Sequence, residues 1–140
     1  MEYGKIRNYP KECNPDMERY LVDTNIFINH FRGKDVATNF LKERNFLYTS
    51  FVTYGELLQG VRNRRELNLV NKTMDKFDID FGSNKIFADT MDLLNKYSLS
   101  HGLKLLDAVI AATALNRSYI VVTENIKDFK FIPDIQLEKI

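Results

Sequence analysis

The chain has 140 residues, of which 44% are hydrophobic and 28% charged, as expected for one globular domain large enough to bury a sizeable core. Its formal net charge of +1 argues against nucleic-acid binding through an overall positive field, so any contact with RNA or DNA would need a local basic patch. The single cysteine, Cys13, excludes an internal disulfide and a zinc site built from cysteines, and no apolar run approaches the roughly 18 residues of a membrane span. We therefore expect a cytoplasmic protein that is not inserted in a membrane.

The first predicted elements are a strand and a helix that meet at Asp23. Met1–Asp16 shows neither a helical nor an alternating apolar pattern, so it is predicted to be an extension, packed loosely or not at all, ahead of a single domain over residues 17–140. The apolar run Tyr20–Val22 predicts a buried strand, and apolar residues at helical spacing resume at Ile26. Asp23 therefore stands at the carboxyl end of a strand, the edge at which open α/β sheets bind ligands.

A second strand and two more helices carry the next candidate acid and the densest basic cluster. Asn45–Ser50 predicts the strand, and the helical pattern that starts at Thr53 has Glu56 in its first turn. A further helix is predicted over Glu66–Lys76. Three arginines are placed at the end of the helix that carries Glu56, where cations suit the helix dipole: Arg62, Arg64 and Arg65.

The second half of the chain continues the alternation of strands and helices. Its predicted elements are a half-buried strand over Phe77–Phe81, a helix over Ser83–Tyr97, a helix over Leu105–Leu115, a strand over Tyr119–Thr123 and an edge strand near Ile135–Leu137. The helix over Leu105–Leu115 is apolar on nearly every side and contains one charge, Asp107. Strands joined through helices predict an α/β fold, in which a mainly parallel central sheet is sandwiched by helices in one domain.

Polar side chains from distant parts of the chain are predicted to converge on one sheet edge. Asp23 and the turn Thr123–Asn125 both follow apolar strands directly, so in a parallel sheet they emerge at the same edge. Glu56 lies near the start of a helix that leaves this edge. Asp107 joins them if its own helix also begins there, which the sequence leaves open.

Each acid also has a structural explanation. Asp23 or Thr24 can cap the first helix, Thr53 and Glu56 have the spacing of a capping box, and Asp107 suits the positive end of a helix. Taken together, three carboxylates in one crevice would disfavour one another's ionisation unless a cation lay among them. Oxygen ligands without cysteine or a histidine pair favour Mg²⁺ or Mn²⁺ over zinc, and phosphodiester hydrolysis is the chemistry that fits such a site.

With these residues the sequence resembles the PIN domain and, within it, the VapC-type ribonuclease toxins of prokaryotic toxin–antitoxin pairs. The segments that carry the resemblance are Tyr20–Asn25, Tyr54–Leu57 with Gly60, Leu106–Ala112, and Val122–Asn125 with Asp128 and Phe129. The resemblance implies that Asp23, Glu56 and Asp107 hold the metal. The family's fourth position is Asn125 here, with Asp128 close behind, so either residue is a candidate for outer support of the metal.

The chemistry assigns Asp23 and Asp107 as the most direct ligands and Glu56 as a ligand or the base that deprotonates the attacking water. Thr123 is expected to bond a carboxylate or a phosphate, and the arginine cluster of residues 62, 64 and 65 to bind the RNA backbone. The resemblance further implies an RNA substrate, a VapB-type antitoxin as partner, and a homodimer.

Two alternatives remain open from the sequence. A haloacid dehalogenase-like phosphatase also places an aspartate after its first strand, but that chemistry requires a second acid two residues on, where this chain has Asn25. A catalytically silent domain that binds RNA or a partner is the other alternative, against which the intact set of acids argues.

Overall fold

The computed structural model describes residues 17–140, so the predicted extension over residues 1–16 lies outside the described residues. Five strands form one sheet in the order β3-β2-β1-β4-β5, and every neighbouring pair is parallel. The strands are β1 (Tyr20–Val22), β2 (Leu47–Ser50), β3 (Asp78–Asp80), β4 (Ile120–Thr123) and β5 (Gln136–Lys139). The predicted α/β fold with a parallel central sheet is confirmed.

Within residues 17–140, six α-helices cover the two faces of this sheet. They are α1 (Thr24–Phe31), α2 (Asp35–Glu43), α3 (Phe51–Gln59), α4 (Arg64–Met74), α5 (Asn84–His101) and α6 (Leu105–Arg117), and a short 3-10 turn, Ile126–Asp128, follows β4. No helix among residues 17–140 has the length and apolar character needed to cross a membrane.

The core follows from the two-residue periodicity of the strands. In β1, Tyr20 and Val22 pack on one face with Phe27 of α1, whereas Leu21 packs on the other face with Ile110 of α6. All three β1 residues are buried, as expected for the central strand of a sheet covered on both sides. Strand β1 therefore delivers the residue that follows it, Asp23, to the middle of the carboxyl edge.

The boundary between α3 and α4 differs from the prediction. Helix α3 begins at Phe51, directly after β2, because Ser50 caps it by accepting a hydrogen bond from the amide of Val52. Thr53 and Glu56 consequently lie inside the helix, and the predicted capping box, with Glu56 in the first turn, is wrong. The position of Glu56 in the second turn frees its carboxylate for contacts outside its own helix.

The arginine cluster is also placed differently. Helix α3 ends at Gly60, and the side chain of Asn63 caps α4 by accepting from the amide of Glu66. Arg64 and Arg65 are thus the first residues of α4, where the helix dipole disfavours cations, and not the last residues of α3. The sequence analysis predicted two separate helices here but placed the arginines at the end of the first, whereas the cap at Asn63 assigns Arg64 and Arg65 to the second.

Helix α6 matches its prediction closely. Every residue from Ala108 to Ala114 is buried, and four of these seven are alanines, which lets the helix approach the sheet and α5 closely. Asp107 lies in the first turn and faces partly outwards. The start of α6 is therefore the point at which a buried helix presents a carboxylate.

Candidate active site

Asp23 is the buried centre of the site. One carboxylate oxygen, Oδ1, accepts from the amide of Thr24 at 2.8 Å, so Asp23 is the N-cap of α1. The other, Oδ2, accepts from the hydroxyl of Thr123 at 2.8 Å. The backbone amide of Asp23 donates to the carbonyl oxygen of Val122 at 2.9 Å, which ties β1 to β4 at this edge. Asp23 therefore caps α1 and also lies at the sheet edge where the sequence predicts a ligand site.

The surroundings of Asp23 raise its pKa. Burial is the largest cause, because only 6% of the residue is exposed and the charged form is poorly solvated. The hydrogen bonds from Thr123 and Thr24 favour the carboxylate and oppose this shift, whereas the negative charges of Asp128 and Glu56 add to it. Asp128 and Glu56 must therefore lie near Asp23.

Asp107 shows the same effect more strongly. Burial, followed by the charges of Asp23, Asp128 and Glu56, raises its pKa to about 7. Lys104, at the start of the same helix, opposes the shift. The carboxylates from α3, α6, the end of β1 and the 3-10 turn thus lie within range of one another's charges, although their roles in catalysis stay predictions.

Glu56 is held from α1 across the crevice. Its Oε2 accepts from the hydroxyl of Thr24 at 2.6 Å, and the same hydroxyl lies 3.0 Å from that of Thr53. A hydroxyl has one hydrogen, so Thr24 donates to Glu56 while Thr53 donates to Thr24. The sequence left Asp23 or Thr24 as the cap of α1; the structure gives the cap to Asp23 and joins Thr24 to Glu56.

The two candidates for the fourth position occupy different surroundings. Asn125 is exposed, and its backbone amide donates to the hydroxyl of Thr123 at 3.0 Å. Asp128 is half-buried, and its charge acts on both Asp23 and Asp107. This placement favours Asp128 over Asn125 as the group that completes the set of carboxylates.

Thr123 is fully buried, and its hydroxyl contacts the carboxylate of Asp23. The sequence predicted that Thr123 bonds a carboxylate or a phosphate, and the structure shows the bond to a carboxylate. Its assignment to substrate binding stays a prediction, and any such effect would have to pass through Asp23. Asn25, whose amide lies 3.3 Å from the same hydroxyl, was not assigned a role at the site because only the fold brings it to β4.

The donor set fits a hard divalent cation, since every candidate ligand is a carboxylate oxygen. Among residues 17–140, no group of three or more His, Cys, Asp or Glu side chains is arranged so that it could hold a metal ion. This arrangement suits Mg²⁺ or Mn²⁺, which take one or two protein carboxylates directly and leave the other positions to water and phosphate oxygens.

The arginines predicted to bind RNA lie along the start of α4. Arg62 forms an ion pair with Glu66 at 2.9 Å, and both line a groove that Glu56 also lines. Arg64 and Arg65 are exposed. The cluster therefore reaches the neighbourhood of the crevice through Arg62, and its contact with RNA stays a prediction.

Comparisons with known proteins agree with this geometry. The PIN domain matches residues 20–133. Ribonuclease VapC of Rickettsia bellii is 29% identical over 127 residues, which cover 84% of this chain and 92% of the relative. Ribonuclease VapC19 of Mycobacterium tuberculosis is 31% identical over 121 residues, which cover 83% of this chain and 96% of the relative.

Solved structures give the same result. A toxin–antitoxin complex from Klebsiella pneumoniae contains a chain that is 30% identical, with a TM-score of 0.72 and coverage of 86% of this chain and 99% of that chain. DNA-bound VapBC from Salmonella typhimurium, at 24% identity, has a TM-score of 0.75 over 88% of this chain and 98% of that chain and supports the fold. Because these matches span most of its length, the chain belongs to the PIN-domain family and, within it, to the VapC ribonucleases.

Proposed function

We propose that this chain is a divalent-metal-dependent endoribonuclease that hydrolyses RNA phosphodiester bonds and acts as the toxin of a VapBC-type toxin–antitoxin pair. The observation that carries the proposal is the gathering of Asp23, Glu56, Asp107 and Asp128 in one crevice. None of these carboxylates forms an ion pair with a lysine or arginine of residues 17–140. Such a set is costly to ionise unless a cation binds, and the cost is visible in the raised pKa of Asp107.

The surroundings of each acidic residue determine the role that we assign to it. Asp23 and Asp107 would hold Mg²⁺ or Mn²⁺ directly, with Asp128 in support. When bound, such a cation lowers the pKa of water and stabilises negative charge on phosphate oxygens. Glu56 is fixed through Oε2 by Thr24, so its other oxygen is free to accept a proton from the attacking water.

Neither alternative from the sequence gains support. A phosphatase of the haloacid dehalogenase kind requires an acid at position 25, and Asn25 instead directs its amide at Thr123 and its carbonyl at the amide of Glu124. A silent domain would not need to keep Asp23 buried without an ion-pair partner among residues 17–140, because replacing it would relieve a standing energetic cost. A cytoplasmic location is part of the proposal, because RNA is the substrate.

The proposal is tested by incubating labelled cellular RNA with the wild-type chain in Mg²⁺, Mn²⁺ or EDTA. Cleavage is expected with either metal and lost in EDTA. Glu56→Gln is expected to lower kcat while leaving KM within about twofold, since a lost base acts on the chemical step. Metal-independent cleavage, or release of phosphate from small monoesters with RNA left intact, would overturn the assignment.

The antitoxin partner is proposed to dock in the groove between α1, α3 and α4, which has a volume of about 410 Å³. Its apolar lining consists of Ile28, Phe31, Leu57, Val61, Leu69 and Val70. Arg32, Arg62 and Glu66 supply polar groups, and Glu56 joins the groove to the crevice. An apolar antitoxin segment seated here would end beside the carboxylates, where it would block RNA. The homodimer implied by the resemblance stays a prediction.

Leu69→Asp tests the groove, because Leu69 is 50% exposed and its loss should not disturb the core. The variant should cleave RNA at the wild-type rate but need more of the cognate antitoxin for inhibition, by about tenfold or more. Leu99→Asp, on the exposed side of α5, is the matched control and should be inhibited normally. Equal inhibition of both variants would place the antitoxin elsewhere.

A further inference from the structure

The side chain of Asn25 bridges α1 and the turn after β4. Its amide nitrogen, Nδ2, lies 3.3 Å from the hydroxyl oxygen of Thr123, and its Oδ1 accepts from the amide of Glu124 at 3.3 Å. Asn25 is half-buried, in the first turn of α1, two residues after Asp23. It contacts none of the four carboxylates, so any effect on them passes through another group.

The hydroxyl of Thr123 is the group that connects Asn25 to Asp23. A hydroxyl has one hydrogen to donate and two lone pairs to accept with. The amide of Asn25 and the backbone amide of Asn125, at 3.3 Å and 3.0 Å, supply hydrogens to the two lone pairs. The hydrogen of Thr123 is then left for Asp23 Oδ2 at 2.8 Å. Thr123 cannot turn this hydrogen away without meeting a donor.

We propose that Asn25 is a positioning residue, which fixes the hydroxyl hydrogen of Thr123 on Asp23 and thereby sets the plane of that carboxylate for the cation. With Oδ1 held by the amide of Thr24 and Oδ2 by Thr123, both oxygens of the Asp23 carboxylate are fixed in orientation. The inference rests on the proposed metal-dependent function. It assigns a reason for an amide at position 25, because a carboxylate there would accept the Thr123 hydrogen and compete with Asp23.

The effect is expected at the scale of outer partners of metal ligands, whose loss costs about 10- to 100-fold in metal affinity or activity. Thr123→Val removes the hydroxyl at nearly constant shape and should weaken Mn²⁺ binding about 10-fold or more. Asn25→Leu leaves the hydroxyl but frees it to rotate, so its effect should be smaller, about 5-fold. Thr123→Ser keeps the hydroxyl and should restore binding to within about twofold.

The deciding experiment is a double-mutant cycle on Mn²⁺ affinity, measured by calorimetry in the absence of RNA. If Asn25 acts through Thr123, the double variant Asn25→Leu/Thr123→Val binds Mn²⁺ no more weakly than Thr123→Val alone. Additive losses would mean that Asn25 supports the site by a separate route and would overturn the inference. Asn29→Leu is the matched control, because Asn29 lies one turn further along α1 and, within residues 17–140, its side chain bonds only Glu124, at 2.7 Å. It should bind Mn²⁺ like the wild type.

Two further measurements separate failure of the inference from failure of the proposed function. Asp23→Asn must weaken Mn²⁺ binding; if it does not, the metal site itself is wrong. If Asp23→Asn weakens binding while Asn25→Leu and Asn29→Leu both bind like the wild type, only the positioning role fails. Thermal unfolding of each variant in EDTA shows whether a lost affinity reflects lost folding, and rescue in Thr123→Ser excludes that explanation at position 123.

Discussion

Asp23 and Asp80 are both buried acids at the carboxyl ends of strands, but among the described residues only Asp80 has a positively charged partner. The side chain of Asp80, at the end of edge strand β3, is fully buried and forms an ion pair with Arg117 at 3.1 Å. It also accepts from the hydroxyl of Tyr119 at 3.3 Å and the amide of Gly82 at 2.8 Å. Asp23 receives only neutral donors from the described residues.

The difference separates an acid whose charge is neutralised within the fold from one that we propose to bind a cation. Asp80 is compensated within the protein, so it needs nothing from outside. Around Asp23 the nearby charges of Asp128 and Glu56 are negative and make its carboxylate harder to ionise. Helix α6 contributes a residue to each of the two surroundings. Asp107 lies in its first turn, in the crevice, and Arg117 at its end lies beside Asp80. A counter-charge within the protein, and not burial alone, distinguishes the two acids.

The largest expected effect is on catalysis at Asp23. Asp23→Asn should reduce RNA cleavage about a thousandfold or more, because the loss of a direct metal ligand removes several kcal/mol of transition-state stabilisation. The measurement is the single-turnover rate on labelled RNA with saturating Mn²⁺. Cleavage within tenfold of the wild type would mean that Asp23 is, like Asp80, an acid of the fold.

The converse effect is expected at Asp80. Asp80→Asn removes the buried charge that pairs with Arg117 and should lower the free energy of unfolding by about 2–4 kcal/mol, as for other broken buried pairs. Denaturant unfolding measures this loss. Cleavage per folded molecule should stay within about twofold of the wild type, since Asp80 is outside the crevice. A large loss of activity with unchanged stability would reverse the comparison.

A smaller and opposite change in stability is expected at Asp107. Its folded pKa of about 7 lies above the ordinary value near 4, so the folded state binds more protons and wild-type stability falls as pH rises through this window. Asp107→Asn does not titrate and should raise the unfolding temperature in EDTA at pH 8, with a smaller gain at pH 5. A variant that unfolds at or below the wild-type temperature at pH 8 would show that Asp107 is compensated as Asp80 is.

The smallest effect is expected from the exposed arginines of α4. Replacing both Arg64 and Arg65 by alanine should weaken RNA binding several-fold and reduce the slope of log affinity against log salt by about 1, if they contact phosphates of a single strand. Arg62→Ala should do less, because Arg62 already pairs with Glu66. Unchanged salt dependence in the double variant would leave these residues as ordinary surface.

Local pattern was sufficient for most of the strands and helices and for placing Asp23 and Thr123 at one edge of the sheet. Tyr20–Val22 and Tyr119–Thr123 read as strands because apolar, β-branched runs suit a sheet covered on both faces, and parallel pairing places the next residues at one edge. The start of α6 at the same edge could not be read from its sequence, but the buried run from Ala108 to Ala114 predicted a helix against the sheet.

The predicted boundary between α3 and α4 was wrong for a local reason. Two capping side chains, Ser50 and Asn63, fix where α3 and α4 begin, and competing caps nearby gave no sequence signal strong enough to choose between them. The predicted capping box at Thr53 and Glu56 had the correct spacing, but Ser50 had already started the helix. The arginines were assigned to the wrong helix as a result.

The sequence by itself determined a parallel α/β domain and the set of acids that defines its chemistry, because hydrophobic periodicity and strand ends are properties of short segments. Only the tertiary structure decided the partners of those acids: Thr24 for Glu56, Thr123 for Asp23, and Arg117 for Asp80. These pairs join residues separated by 32, 100 and 37 positions. Their contacts depend on how distant elements cross over the sheet, which no local pattern encodes.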